Sequence, residues 1–278
     1  MAILGVGLIG GSVARALKKG ELCSHIVGYG RSRANLDAAI RLGVVDSIEK
    51  SAKAACKGAD LVVLATPVET FKPLVTEIAS ALEPGAIVID AGSIKGELVR
   101  EIESMMPSGV RFIGCHPIAG SERSGVHAST DTLFEGALCI ITPTGKTDSR
   151  ALDMVSLLWE SFGCMVESMD PDEHDRVYSA VSHFPHLVAY AIVNAVSEEV
   201  GGAMKYAGAG FKDTTRIAMS PAELWKNICI MNRSNVSGMV GRLIDELKQM
   251  KKMLDSADGK GLYEAFNRAA ETRREIGD

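Results

Sequence analysis

Through residues 1–145 the apolar residues gather in short unbroken runs rather than in alternation. The runs are Ile3-Leu4, Ile26-Val27-Gly28-Tyr29, Leu61-Val62-Val63-Leu64-Ala65, Ile87-Val88-Ile89-Asp90, Arg111-Phe112-Ile113-Gly114-Cys115 and Ala137-Leu138-Cys139-Ile140-Ile141-Thr142. Several are bounded by Asp, Gly or Pro, which suits strands buried on both faces of a parallel sheet. Ser12 to Lys19 and Gly96 to Met106 read as helices between them, and a helix near Ser149 to Phe162 with a strand at Met165 to Glu167 completes the series. This alternation predicts an α/β domain built on a doubly wound parallel sheet.

At Asp170-Pro171-Asp172 the pattern changes. Asp170 suits a helix cap and Pro171 its first turn. No convincing strand follows, so the chain is expected to divide into residues 1–170, the α/β domain, and 171–278, an all-α domain. In the second part Val236, Val240, Leu243, Leu247, Met250 and Leu254 recur every three or four positions, with Arg242, Asp245, Glu246, Lys248, Lys251 and Lys252 off that line. Such a heptad seam packs within the chain or against a second subunit. A helical domain of this size has a limited core of its own, which favours the subunit interface.

Composition narrows the function. The 278 residues carry a formal net charge of −5, which argues against a generic nucleic-acid binder. No apolar run is long enough for a membrane helix, and the start at Met1 runs directly into a glycine-rich turn, so a cytoplasmic location is expected. The six cysteines are scattered without a C-x-x-C pair, which predicts reduced thiols and no metal site.

Gly5-Val6-Gly7-Leu8-Ile9-Gly10 is a G-x-G-x-x-G turn that follows an apolar strand and opens a helix. Gly5 permits the tight turn, Gly7 admits a pyrophosphate, and Gly10 lets helix and strand pack closely. Free N–H groups at the helix start, around Leu8 and Ile9, then face the anion. The second strand ends Tyr29-Gly30-Arg31-Ser32-Arg33. An NAD site places an acid there, and here Gly30 takes that position. Arg31, Ser32 and Arg33 suit a 2′-phosphate, so of the two forms of NAD(P), NADP is favoured over NAD. Thr66, Pro67 and Ser93 follow strand ends and are expected near the cofactor.

Candidate chemistry lies in three further segments, His116-Pro117-Ile118-Ala119-Gly120-Ser121-Glu122, Ser182-His183-Phe184-Pro185-His186 and Gly210-Phe211-Lys212-Asp213-Thr214-Thr215-Arg216. Together with the glycine turn and Asp90-Ala91-Gly92-Ser93-Ile94-Lys95-Gly96, in this order, they resemble the prephenate/arogenate (cyclohexadienyl) dehydrogenase family of tyrosine biosynthesis. The resemblance covers essentially the whole chain. It implies a Rossmann-type N-terminal domain, a C-terminal helical dimerisation domain and a homodimer. It also implies oxidative decarboxylation of a small anionic substrate, prephenate or arogenate, with hydride transfer to NAD(P)+. By the same resemblance His116 is the catalytic histidine and Ser93 assists it. His183 and His186 line the substrate pocket, and Arg216 binds the substrate carboxylate. Asp213 and Trp225 lie near the entrance, within reach of a partner subunit, and Glu122 gates or tunes the site. No metal is implied. No acidic residue in these motifs demands the ammonium of arogenate, which favours prephenate.

Other readings of the same residues stay open on sequence alone. His116 could be a strand-end residue, His183 and His186 could be packed core residues three apart on one helix face, and Ser93 could cap a helix beginning near Lys95. Arg216 could pair with Glu223 or Asp213. At the level of the chain, the alternatives are a β-hydroxyacid or imine dehydrogenase and a non-catalytic cofactor sensor. The absence of a lysine between Asp172 and Val200 counts against the hydroxyacid type. His25, His127 and His174 belong to no motif and are expected on the surface or in packing.

Overall fold

The computed structural model describes residues 1–120 and 123–276. Packing divides the chain into two compact units, Met1–Asn232 and Arg233–Asp278.

In the first unit the strands are β1 (Ala2–Leu4), β2 (Val27–Tyr29), β3 (Ser47–Ile48), β4 (Leu61–Leu64), β5 (Ile87–Asp90), β6 (Arg111–Pro117), β7 (Leu138–Thr142) and β8 (Met165–Ser168). Interleaved with them are helices α1 (Leu8–Lys19), α2 (Arg33–Arg41), α3 (Ala52–Cys56), α4 (Phe71–Ile78), α5 (Gly96–Ser104) and α6 (Ser149–Ser161). The strands form one sheet in the order β3-β2-β1-β4-β5-β6-β7-β8. All neighbours run parallel except β6 and β7. The exception follows from the connection: among the described residues of 118–137 the one helical element is a short 3₁₀ turn, Val126–Ala128, and a parallel return needs a crossover, usually helical. β3 is two residues long and too short to stand out in the apolar pattern.

The continuous apolar runs do cover both faces. Ile3, Val63, Ile89 and Ile113 join one core with residues of α1, α2 and α6. Their neighbours Leu4, Val62, Val88 and Phe112 join the other, with residues of α3, α4 and α5. Alternate side chains on each strand thus enter opposite layers, which is why no polar face interrupts the runs.

α1 begins at Leu8, inside the glycine turn and ahead of the expected Ser12. Gly5 has φ +102°, and a Cβ there would lie 2.5 Å from the Ala65 carbonyl oxygen at the end of β4. A Cβ on Gly10 would lie 2.1 Å from the Gly5 carbonyl oxygen and 2.9 Å from Ile3. Glycine is therefore required at both for the helix to start this close to β1.

After β8, Asp170 caps α7 (Pro171–Tyr178), its carboxylate accepting from the Asp172 and Glu173 amides. A π-helical turn, Ser179–His183, leads into α8 (Phe184–Glu199), followed by α9 (Ala209–Thr215) and α10 (Ala222–Met231). These four helices belong to the first unit. In the second unit α11 (Arg233–Asp255) and α12 (Gly259–Glu275) pack as a pair. On the heptad seam of α11, Val236 is buried while Leu247 and Leu254 are more than half exposed. Among the described residues no strand follows β8, and no helix is long and apolar enough to cross a membrane.

Candidate active site

The carboxyl ends of β1, β4, β5 and β6 bring the expected residues to one edge of the sheet. At β1, the Gly5 amide donates to the Tyr29 carbonyl at 2.8 Å and Gly7 has no heavy atom within 4 Å of where its side chain would stand. That open flank lies at the amino end of α1, beside Leu8 and Ile9, where unpaired N–H groups and the helix dipole favour an anion. The cradle fits a pyrophosphate.

At the end of β2, Ser32 caps α2 by accepting from the Asn35 amide at 3.3 Å. Arg33 pairs with Asp37 at 2.9 Å on the surface, and Arg31 is exposed. Asn35 ties this turn to the glycine loop: its amide donates to the Val6 carbonyl at 2.6 Å and its oxygen accepts from the Val126 amide at 2.9 Å. After β4, the Thr66 hydroxyl meets that of Thr70 at 2.7 Å, and Pro67 leads into the short turn Val68–Thr70.

After β5 the loop of residues 91–94 is organised by a buried ion pair. Lys95 Nζ lies 2.6 Å from Asp90 Oδ2 and also donates to the carbonyls of Gly92 and Ile94. Asp90 in turn accepts from the Gly92 and Cys115 amides. The pair is fully satisfied, and it shapes the loop that carries Ser93. α5 starts at Gly96 with Lys95 at the capping position, so Ser93 is not its cap. The cap is supplied from α7: Asp175 Oδ1 accepts the Lys95 amide at 2.8 Å.

At the end of β6, His116 is half-buried, and its Nδ1 lies 2.8 Å from Nε2 of His174. His174 Nδ1 lies 2.9 Å from Asp175 Oδ1. The Tyr178 ring packs on both imidazoles, with centroids 4.9 Å from His116 and 4.5 Å from His174. Of the two expected positions, surface or packing, His174 takes the packed one: it is fully buried, with both ring nitrogens in hydrogen-bond contact. Its sequence signal is slight: an imidazole next to a carboxylate, one turn past a strong helix cap.

The π turn and α8 bring the other two histidines to the same Trp225 ring, whose centroid lies 6.3 Å from that of His183 and 3.3 Å from that of His186. His183 is buried, its Nδ1 3.1 Å from the Asn232 side-chain nitrogen, which also donates to the Asp175 carbonyl at 2.7 Å. His183 Nε2 is buried with no hydrogen-bond partner among the described residues; the Ser93 carbonyl acts on the ring without closing a bond of normal geometry. His186 is partly buried and stacks flat on Trp225, centroids 3.3 Å apart and planes 15° from parallel. A π-helical turn like Ser179–His183 is frequent at functional sites. Arg216 lies near enough to disfavour charge on His186. Asp213 is exposed, and Glu223 pairs with Lys226. Glu122 lies outside the described residues. No group of three or more potential metal ligands occurs among the described residues.

Electrostatics keep these imidazoles neutral. Burial pushes His116 well below the ordinary histidine range, and His174, Lys95 and His183 add to the effect. Burial lowers His174 against the opposing pull of Asp175. It lowers His183 to about 4, opposed in part by Asp175 and the Ser93 carbonyl. A neutral imidazole is what proton acceptance near pH 7 requires.

Comparison with known proteins agrees with this architecture. The family model for the prephenate dehydrogenase nucleotide-binding domain matches residues 13–168, and that for its dimerization domain matches residues 170–268. The prephenate dehydrogenase of Bacillus subtilis is 36% identical over 98% of this chain and 74% of its own length. The cyclohexadienyl dehydrogenase of Zymomonas mobilis is 31% identical over 98% of this chain and 94% of its own. A crystal structure of Aquifex aeolicus prephenate dehydrogenase, in complex with hydroxyphenyl propionate and NAD+, superposes with a TM-score of 0.92 at 37% identity, covering 99% of this chain and 97% of that one. The chain belongs to the prephenate dehydrogenase family of oxidoreductases.

Proposed function

We propose that this site takes a 4-hydroxycyclohexadiene dianion, prephenate in preference to arogenate, with His116 as the proton acceptor. The observation that carries this reading is a half-buried, neutral imidazole at the end of β6, on the same sheet edge as the open glycine turn. When bound at that turn, the nicotinamide dinucleotide supplies the hydride acceptor. The rest falls to the side chains. His116 takes the ring hydroxyl proton as the carbinol carbon loses its hydride and becomes a carbonyl. The ring carboxylate then departs as CO2, and the electron pair of its C–C bond passes through the ring to the carbonyl oxygen. That oxygen recovers the proton from His116, and aromatisation drives the step. In this reading Ser93 shares the hydroxyl hydrogen bond, His183 offers a buried nitrogen to a substrate oxygen, and Arg216 with His186 and Trp225 receives the side-chain carboxylate. Asp213 lies toward the entrance.

For the cofactor, the missing acid after β2 and the exposed Arg31 support NADP over NAD. Ser32 and Arg33 are partly engaged in capping and in the pair with Asp37, so Arg31 carries most of the expected preference. A homodimer through α11 and α12 is supported by the exposed Leu247, Leu254, Tyr263 and Phe266.

One assay tests the reading: reduced-cofactor absorbance with prephenate and arogenate, each crossed with NAD+ and NADP+. Turnover of prephenate with higher kcat/KM for NADP+ is expected. His116→Asn should bind cofactor normally and lose two or more orders of magnitude in kcat. Near-normal turnover by that variant would overturn the role of His116, and a clear preference for NAD+ would overturn the cofactor choice.

A further inference from the structure

Two imidazoles of the site are tied to the same residue by separate hydrogen-bond paths. Asp175 uses its carboxylate toward His174 and its main-chain carbonyl toward Asn232. Each path fixes where protons sit.

On the first path, Asp175 Oδ1 accepts the Lys95 amide at the amino end of α5, which uses that oxygen as an acceptor. A carboxylate can only accept, so His174 Nδ1 must carry the proton in their 2.9 Å bond. A neutral His174 then has a bare Nε2. The 2.8 Å bond to His116 requires a donor, which is His116 Nδ1–H. The remaining nitrogen of His116, Nε2, is left with its lone pair.

On the second path, a carbonyl oxygen also can only accept, so the Asn232 atom 2.7 Å from the Asp175 carbonyl is the amide nitrogen. The same nitrogen lies 3.1 Å from His183 Nδ1. Its second proton points to a bare Nδ1, and a neutral His183 carries its proton on Nε2, the buried atom that has no partner among the described residues.

We propose that Asp175, acting through His174 and through Asn232, sets the two imidazoles in opposite tautomers, His116 with Nε2 free to accept a proton and His183 with Nε2–H ready to donate a hydrogen bond. The inference deepens the proposed role of His116 and rests on it for its catalytic consequence, though not for the tautomers themselves. The hydroxyl proton moves to His116 Nε2, and the imidazolium formed keeps its Nδ1–H on His174 Nε2. No proton leaves His174; the Asp175 carboxylate stabilises the new positive charge from the far end. The proton returns from Nε2 to the phenolate oxygen when CO2 leaves. Asp175, His174 and Asn232 are thus positioning residues.

The charged and titratable groups facing this chain are Asp90 at the end of β5, Lys95 from the loop after it, Tyr178 from α7 and His183 from the π turn. None of them offers His174 Nδ1 another acceptor in the hydrogen bonds observed.

The test is 15N NMR of the histidine-labelled full chain at neutral pH, with His116 and His183 assigned from His116→Asn and His183→Gln. His116 Nε2 should show an unprotonated, pyridine-type shift and His183 Nε2 a protonated, pyrrole-type shift. Either nitrogen in the other state would overturn the inference, whatever substrate the enzyme uses. Asn232→Asp, which cannot donate, should move the His183 proton to Nδ1 and leave His116 unchanged; an unchanged His183 would count against the second path. In turnover, His174→Phe should lower kcat about 10–100-fold with KM within about threefold, and His174→Gln, whose oxygen can still accept from His116 Nδ1, should recover part of it. Asp175→Asn should shift the acid limb of the kcat profile to lower pH, because the carboxylate no longer favours charge on the imidazoles. Equal losses in His174→Phe and His174→Gln, or a limb that moves to higher pH, would reduce the role to packing.

Discussion

Lys95 and Asp90 meet at 2.6 Å with side chains 0% and 2% exposed, five positions apart in sequence and on either side of the loop that holds Ser93. Breaking such a pair from one side leaves a charge buried without its partner, which costs about 3–5 kcal/mol. Lys95→Met should therefore lower the melting temperature sharply and abolish turnover through the collapsed Ser93 loop. Replacing both at once, Asp90→Asn with Lys95→Met, should destabilise less than the sum of the single changes. Additive losses in denaturant titrations would show that the pair does not act as a unit.

Acid should destabilise the fold through its buried imidazoles. His183 binds its proton at about 4 in the folded chain and near the ordinary 6.5 when unfolded. Between those values the unfolded chain holds more protons, so stability rises with pH and is lost on acidification from about 6.5 to 4. For His183 alone the loss is on the order of 3 kcal/mol, and His116 and His174, lowered by the same burial, act in the same direction. Chemical denaturation across pH 4–7 should show this slope, and His183→Gln should flatten it. A slope unaltered by that change would assign the acid sensitivity to other groups.

Gly10 tolerates no side chain without moving the turn, since a Cβ would fall 2.1 Å from the Gly5 carbonyl oxygen. Gly10→Ala should cost about 1–3 kcal/mol as an overpacking change and weaken dinucleotide binding in calorimetric titration. Gly7→Ala meets open space instead. It should leave stability nearly intact and weaken only the dinucleotide. Equal stability losses at the two positions would contradict this division of roles.

His186 stacks flat on Trp225 and lies within electrostatic range of Arg216. An aromatic pair contributes about 0.5–1.5 kcal/mol beyond its buried area. Trp225→Ala should raise the substrate KM roughly tenfold with kcat within a few-fold, and His186→Ala should do likewise. The double variant should be little worse than either single one. A fall in kcat at unchanged KM would move these residues away from substrate anchoring.

In the second unit, Leu247 on α11 and Phe266 on α12 are 54% and 58% exposed. If α11 and α12 form a subunit interface, Leu247→Glu together with Phe266→Glu should convert a dimer to monomers in light scattering. A dimer that survives the pair of charges would place the interface elsewhere.

Much of this protein was legible in one dimension because the signals are local. Unbroken apolar runs marked most of the strands, and Asp170-Pro171 marked the start of α7. Gly5 and Gly10 are spaced for a turn whose geometry admits nothing larger. The reversed direction of β7 was not visible, since it depends on the path of residues 118–137, where no periodicity speaks. Nor was β3, whose two residues give no pattern.

The sequence by itself determined the doubly wound layout, the phosphate turn and the presence of His116, His183, His186 and Arg216 in recognisable motifs. Only the tertiary structure decided what surrounds them. His116 and His174 are 58 positions apart, Asp175 and Asn232 are 57 apart, and His183 and Asn232 are 49 apart. Spacing reports the repeat of a helix or strand, and it carries no trace of a hydrogen bond closed between elements folded together from distant parts of the chain. The same holds for protonation: an imidazole's pKa and tautomer depend on burial and on the partner at its other nitrogen, and both exist only once α7, the π turn and the end of β6 have met.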